Sequence, residues 1–103
     1  MNKPTAEMFL AKAETLLNQR GKEYDTADQK ERSADKVAIA FNAITGHTLT
    51  GSEVWLLLQI LKDVRQWTHP RFHRDSAEDC ISYAALKAEA LASEQKEKPN
   101  DPI

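Results

Sequence analysis

The chain has 103 residues, 41% of them hydrophobic and 29% charged, and its formal net charge is −2. This length suits one small domain, the slight negative charge argues against direct DNA binding, and the single cysteine, Cys80, excludes an internal disulfide. Neither a signal region nor an apolar run of bilayer length is visible, so we expect a soluble cytoplasmic protein. With three glycines and four prolines, the composition favours an all-α fold.

The first helix is predicted to begin after a cap at Thr5 and to end near Arg20, with Gly21 as its stop. Its single apolar stripe should place it on the outside of a bundle. The stretch 21–31 is polar and aperiodic, which predicts a long loop that is either mobile or used for binding, with Tyr24 as its bulky anchor. The stripe of the helix comprises Met8, Phe9, Ala13, Leu16 and Leu17.

The second helix is predicted over Ala34 to Ile44, with Ser33 as its cap and Gly46 close to its end. A third helix should follow the capping-box pattern of Thr50 and Glu53 and stop before Pro70. The inner face predicted for the second helix is Val37, Ala38, Ala40, Phe41 and Ile44. The third, most apolar helix should be central, with an inward stripe of Val54, Leu57, Leu58, Leu61 and Val64, broadened by Leu56 and Ile60.

The fourth helix is predicted from Ser76 to about Gln95, antiparallel to the third because the connection is short. It carries two stripes at helical spacing. We assign the alanine-rich stripe to the core, and the second stripe needs another partner: core packing, the first loop, another subunit or a ligand pocket. Residues 1–95 then form one domain and 96–103 a disordered tail. The first stripe is Ala77, Ile81, Ala84, Ala88 and Leu91; the second is Asp79, Tyr83, Leu86 and Ala90; and Asp75, Glu78, Ser82 and Glu89 should be solvated.

Four charged residues flank the connection between the last two helices. Asp75 and Asp79 lie one turn apart, a spacing that presents carboxylates to Mg²⁺, although acidic residues in a first helical turn more often interact with the helix terminus. Lys62 and Arg65 are also neighbours, and they suit either a phosphate or a carboxylate. His73 lies in the connection and could contact a ligand, or be an ordinary surface histidine.

Three patterns resemble a known group of proteins. They are Lys22-Glu23-Tyr24-Asp25, then Lys62-x-x-Arg65, then Asp75-x-x-x-Asp79-x-x-x-Tyr83. Together they are similar to the MazG-like, all-α nucleoside triphosphate pyrophosphatases and related nucleotide-modification-associated proteins. The stretch from Glu31 to Gly46 resembles short, uncharacterised phage and prophage proteins.

The resemblance implies a helical, often dimeric domain in the cytoplasm of a bacterial host, with Mg²⁺ on Asp75 and Asp79. Phosphates would then meet Lys62 and Arg65, and Tyr24 would close the base pocket. The active enzymes add an acidic pair from a preceding helix, which this sequence lacks. We therefore expect a degenerate phage accessory module that binds a nucleotide or a host protein, with a Mg²⁺-dependent pyrophosphatase and a small regulatory homodimer as alternatives. The ligand-binding set under this hypothesis is Tyr24, Lys62, Arg65, His73 and Tyr83.

Overall fold

The protein is described by a computed structural model that covers residues 3–24 and 33–95, with side chains described for 3–19 and 33–94. It contains α1 (Ala6–Tyr24), α2 (Ala34–Thr45), α3 (Gly51–Thr68) and α4 (Arg74–Gln95). No strand occurs in these ranges, which confirms the predicted all-α, four-helix architecture. α3 and α4 form the central pair, α1 packs on α4, and α2 packs on α3. The predicted tail 96–103 and the predicted loop beyond Tyr24 lie outside the described residues.

Among the helices that the structure describes, none combines the length and the hydrophobicity needed to span a lipid bilayer.

Local capping chemistry sets the start and end of α3, as predicted. The Glu53 N–H donates to Thr50 Oγ1 over 3.3 Å, and the Thr50 N–H donates to Glu53 Oε1 over 2.8 Å, so each residue satisfies the other's backbone donor. At the other end, His69 is extended (φ −80°, ψ 138°) because it precedes Pro70. Both signals lie within a few residues of the boundary they set.

The other helix ends correct three predictions. α1 passes through Gly21 and continues to Tyr24, because a glycine stops a helix only where it turns left-handed. Gly46 does so at the end of α2, with φ 76° and its N–H donating to the Asn42 carbonyl. Ser33 precedes α2 with helical φ and ψ and makes no capping hydrogen bond. α4 begins at Arg74, two residues before the predicted start.

The core lies where α2, α3 and α4 meet. Leu86 of α4 is buried there, and Tyr83 and Ala90 pack against the same cluster. The second stripe of α4 therefore faces its own chain, so core packing is the partner that the structure supplies. The buried members of the cluster are Ala34, Ala38, Val54, Trp55 and Leu86.

The predicted outward and inward sides of α4 are correct only in part. Glu78 and Ser82 are buried, whereas Ala88 and Leu91 are exposed. The reason is α1: Arg74, Glu78 and Ser82 share one side of α4, and the Arg74 guanidinium lies 5.9 Å from the centre of the Phe9 ring. The Arg74 Nε–Glu78 Oε2 distance is 2.9 Å, so the buried carboxylate is paired.

The predicted inner faces of α2 and α3 are also mostly wrong. On α2, Ala38 is buried as expected, but Val37, Phe41 and Ile44 are exposed. On α3, Val54 is buried and Leu58 is half-buried, whereas the remaining members of the predicted stripe point away from α4 and α2. Those outward residues are Leu56, Leu57, Ile60, Leu61 and Val64.

Candidate functional site

The structure brings one cation and one anion of the predicted site together. Lys62 Nζ lies 2.8 Å from Asp79 Oδ2, and the two side chains are 13% and 21% exposed. This ion pair bridges the central helices and pairs the Lys62 ammonium with a carboxylate. Arg65 and Asp75 are both exposed and take no part in it.

The two carboxylates predicted to bind Mg²⁺ have different surroundings. Asp79 is paired with Lys62, and Asp75 is an exposed residue of the first turn of α4. Within the described ranges, no group of three or more His, Cys, Asp or Glu side chains is placed to hold a metal ion. Mg²⁺ can be bound through one or two carboxylates with water completing its shell, so Mg²⁺ on Asp75 and Asp79 stays a prediction.

The two tyrosines of the predicted site have different outcomes. The Tyr83 ring stacks on Trp55, with the ring centres 5.5 Å apart and the planes inclined by 28°. Because Trp55 is buried in the core, this face of Tyr83 is occupied by packing. The side chain of Tyr24 lies outside the described residues.

Arg65 and His73 meet at a shallow crevice of about 260 Å³ beside the turn between α3 and α4. His69, which the sequence-based prediction missed, lines the same crevice, and its ring centre is 5.0 Å from that of His73. Helical spacing gives no signal for this contact, because residues 69–73 form a non-helical turn. The complete lining is Arg65, Thr68, His69, Pro70 and His73.

Hydrogen bonds from Gln66 hold the turn in place. Its Oε1 accepts the His73 N–H over 2.9 Å, and its Nε2 donates to the Arg71 carbonyl over 3.2 Å. The Nδ1 atom of His69 lies 2.8 Å from that same carbonyl. The crevice is therefore lined by residues whose backbone is fixed by α3 itself.

The His73 ring has a defined tautomer. Its Nδ1 lies 3.3 Å from the Ser76 backbone N–H and 2.6 Å from Ser76 Oγ. A backbone N–H can only donate, so Nδ1 accepts and the proton of the neutral ring is on Nε2. His73 thus caps α4, the role that the sequence had suggested for Asp75, and it keeps one N–H donor for another group.

A second crevice, of about 320 Å³, opens between α2, α3 and α4. Its acidic residues include Glu94, which accepts from the Ser52 N–H over 3.0 Å and from Ser52 Oγ over 2.7 Å. This contact joins the end of α4 to the start of α3, where a negative charge is favourable. Glu94 therefore has a structural role. The lining is Ala34, Asp35, Trp55, Leu86, Glu89, Ala90, Ser93 and Glu94.

Partial burial raises the pKa of the Cys80 thiol, and the nearby Asp63 carboxylate raises that pKa further. The thiol donates to Asp63 Oδ1 over 3.6 Å. We expect iodoacetamide to alkylate Cys80 several-fold more slowly in the folded chain than in urea at pH 8.5, because the thiolate is the nucleophile. Asp63→Asn should speed up the folded-state reaction.

The raised pKa of the Cys80 thiol also makes the stability of the fold depend on pH in a defined direction. A folded-state pKa above the unfolded value, about 8.5 for a cysteine, stabilises the fold fully below that value. This contribution is lost as the pH rises through the folded-state pKa. In the alkylation experiment, equal rates for the folded and unfolded chain would contradict a raised pKa of the Cys80 thiol.

Comparison with known proteins gives one result that concerns the whole domain. A family model described as a domain of unknown function, DUF6378, matches residues 8–91, which include all four helices in whole or in large part. Neither the curated proteins nor the solved structures contain a match to this chain.

Proposed function

We propose that this chain, which belongs to the DUF6378 family, is a non-catalytic binding module that holds the phosphate group of a nucleotide beside the turn between α3 and α4. The observation that carries the proposal is the crevice at that turn, where Arg65 lies with His69 and His73. The nucleotide itself is suggested by the resemblance to MazG-like proteins. That resemblance also motivates an accessory role for a phage or prophage protein in the bacterial cytoplasm.

The chemistry of the crevice suits a phosphate. Arg65 has a permanently charged, forked guanidinium, and it forms no ion pair with any described residue. His73 offers its Nε2–H, and it stands at the N-terminus of α4, where the helix dipole favours an anion. Lys62 is not part of this set, because Asp79 already neutralises its charge.

Binding without turnover is favoured over a Mg²⁺-dependent pyrophosphatase. Metal-assisted hydrolysis needs an ion that is held firmly enough to activate water. Asp75 and Asp79 are the two metal ligands that the resemblance suggests, and Asp79 is paired with Lys62. The proposal therefore assigns no catalytic residue.

Two further parts of the proposal concern partners. We propose that the chain acts as a homodimer, because it exposes many large apolar side chains for a domain of this size. A host protein is the alternative to a nucleotide as ligand, and the exposed Ile39 and Ile44 of α2 favour it.

Thermal shift with a panel of deoxynucleoside triphosphates, with and without Mg²⁺, tests the phosphate site. At ten times the Kd, a bound nucleotide should stabilise the fold by about 1.4 kcal/mol and raise the Tm by roughly 5–10 °C. Arg65→Gln should weaken binding about 10- to 100-fold, as expected for hydrogen bonds to a charged partner.

Arg71→Gln is the matched control, because it removes a positive charge from the same turn. Arg71 is exposed, contacts His69 and Gln66 through its backbone, and does not line the crevice. If both variants weakened nucleotide binding equally, the loss would reflect the overall positive charge of the turn and not a specific contact with Arg65. Release of pyrophosphate in the presence of Mg²⁺ would show that the module is an enzyme.

A further inference from the structure

The side of α3 that faces away from α4 and α2 is almost entirely apolar. Its six large side chains are between 40% and 84% exposed, and Trp67 is the most exposed of them. The opposite side of the same helix already supplies Val54 and Trp55 to the core. This surface, which we call the α3 outer face, comprises Leu56, Leu57, Ile60, Leu61, Val64 and Trp67.

The α3 outer face has the spacing of a helix-pairing seam. Leu57, Ile60, Val64 and Trp67 follow one another at intervals of three, four and three residues. This 3–4 alternation keeps side chains in line along one side of a helix, and it is the pattern by which two helices interdigitate. Leu56 and Leu61 flank the seam. A second helix is therefore the kind of partner that this face fits.

The exposed area of the α3 outer face is also large enough for the interface of a stable dimer. The six side chains expose on the order of 600 Å², at the upper limit of about 300–600 Å² for apolar patches on monomers. Counted on both copies, the same face amounts to about 1,200 Å², which reaches the range of specific, stable interfaces.

We infer that the α3 outer faces of two copies pack against each other with antiparallel helices, and that Ile60 lies near the two-fold axis. The inference rests on the proposal that the chain acts as a homodimer, and it assigns the surface and the orientation. Glu53 is the charged residue at the N-terminal end of this side of α3, and parallel packing would place it against its own copy. Antiparallel packing separates the two carboxylates, brings the bulky Trp67 to the opposite end of the partner's stripe, and opposes the helix dipoles.

Light scattering coupled to size-exclusion chromatography tests the interface with Ile60→Glu. The wild-type chain should elute with twice its mass of 11.6 kDa. Ile60→Glu should raise the dimer Kd about 100-fold or more, because each copy would bury a new carboxylate in the seam. Ile39→Glu is the matched control, since Ile39 is exposed on α2, away from this face, and that variant should remain dimeric.

Each outcome has a distinct consequence. A monomeric wild-type chain overturns both the homodimer and the interface, while the phosphate site is unaffected. If the wild-type chain is a dimer and Ile60→Glu leaves it intact, only the proposed interface is overturned. The same conclusion follows if Ile39→Glu weakens the dimer as much as Ile60→Glu does.

A second measurement does not depend on how well the variant folds. Tryptophan emission of the wild-type chain should shift to longer wavelength on dilution, because dissociation exposes the indole of Trp67 while Trp55 stays buried in the core. Emission that stays constant while light scattering reports dissociation would place the contact on another surface.

Discussion

Leu86→Ala should lower the free energy of unfolding by about 2–5 kcal/mol, the range for removing a buried leucine side chain. Leu86 is 4% exposed and lies where α4 meets α2 and α3, in contact with the buried cluster that includes Trp55 and Ala38. The helices that surround it are held by their own hydrogen bonds, so they relax only partly into the space. The loss is therefore the transfer free energy of the side chain and the cost of the cavity.

The expected loss of stability is large because few other residues form the buried core. The core cluster of the described chain contains five buried residues, and two of them are alanines. A domain of this size has about 5–15 kcal/mol of total stability, so the substitution removes a large part of it. Urea unfolding followed by circular dichroism at fixed chain concentration would measure the change, since dimerisation makes stability depend on concentration.

Leu10→Ala is the control for this substitution. Leu10 is 62% exposed on α1, and its truncation should change the free energy of unfolding by less than about 1 kcal/mol. If the two variants lost the same amount, the core would not be where the structure places it.

Both ends of α3 and the end of α2 could be predicted from the sequence because the interactions that set them are local. Thr50 and Glu53 satisfy each other's backbone, and Gly46 adopts the left-handed turn that its missing side chain permits. The helix end predicted at Gly21 is wrong because a glycine ends a helix only where its backbone becomes left-handed, and α1 continues through Gly21. Sequence shows that a stop is available there, whereas packing decides whether it is used.

The direction of each helix face could not be predicted in the same way. Periodicity shows which residues share a stripe, but the stripe that meets a neighbour depends on where that neighbour lies. On α3 both sides are apolar, and the side with Trp55, rather than the one with Leu57 and Val64, meets α4 and α2. On α4, Glu78 is buried beside Arg74, and Arg74 in turn contacts Phe9 of α1.

The candidate site shows the same limit. Sequence spacing across a short turn was enough to predict that Lys62 lies near Asp79. It could not show that their ion pair closes, leaving Arg65 to a separate crevice. Nor could it place His69 beside His73, because that contact depends on the hydrogen bonds that Gln66 makes across the turn.

Asp79→Asn should cost roughly 2–3 kcal/mol of stability, because it leaves the Lys62 ammonium largely buried without its counter-charge. Breaking a fully buried pair costs about 3–5 kcal/mol, and the partial exposure of both side chains reduces that figure. Asp75→Asn changes the same residue type one turn earlier on α4, at an exposed position, and should cost less than about 1 kcal/mol.

A double-mutant cycle separates the ion pair from other effects of Asp79. Lys62→Met alone leaves the carboxylate unpaired, whereas Lys62→Met combined with Asp79→Leu removes both charges and keeps apolar volume. We expect a coupling energy of about 1–3 kcal/mol and a double variant close to the wild-type stability. Chemical denaturation of the wild type, Lys62→Met, Asp79→Leu and the double variant supplies all the terms. If the coupling energy were near zero and Asp79→Asn cost no more than Asp75→Asn, the closed pair would contribute nothing to the fold, and both carboxylates would again be open to a ligand.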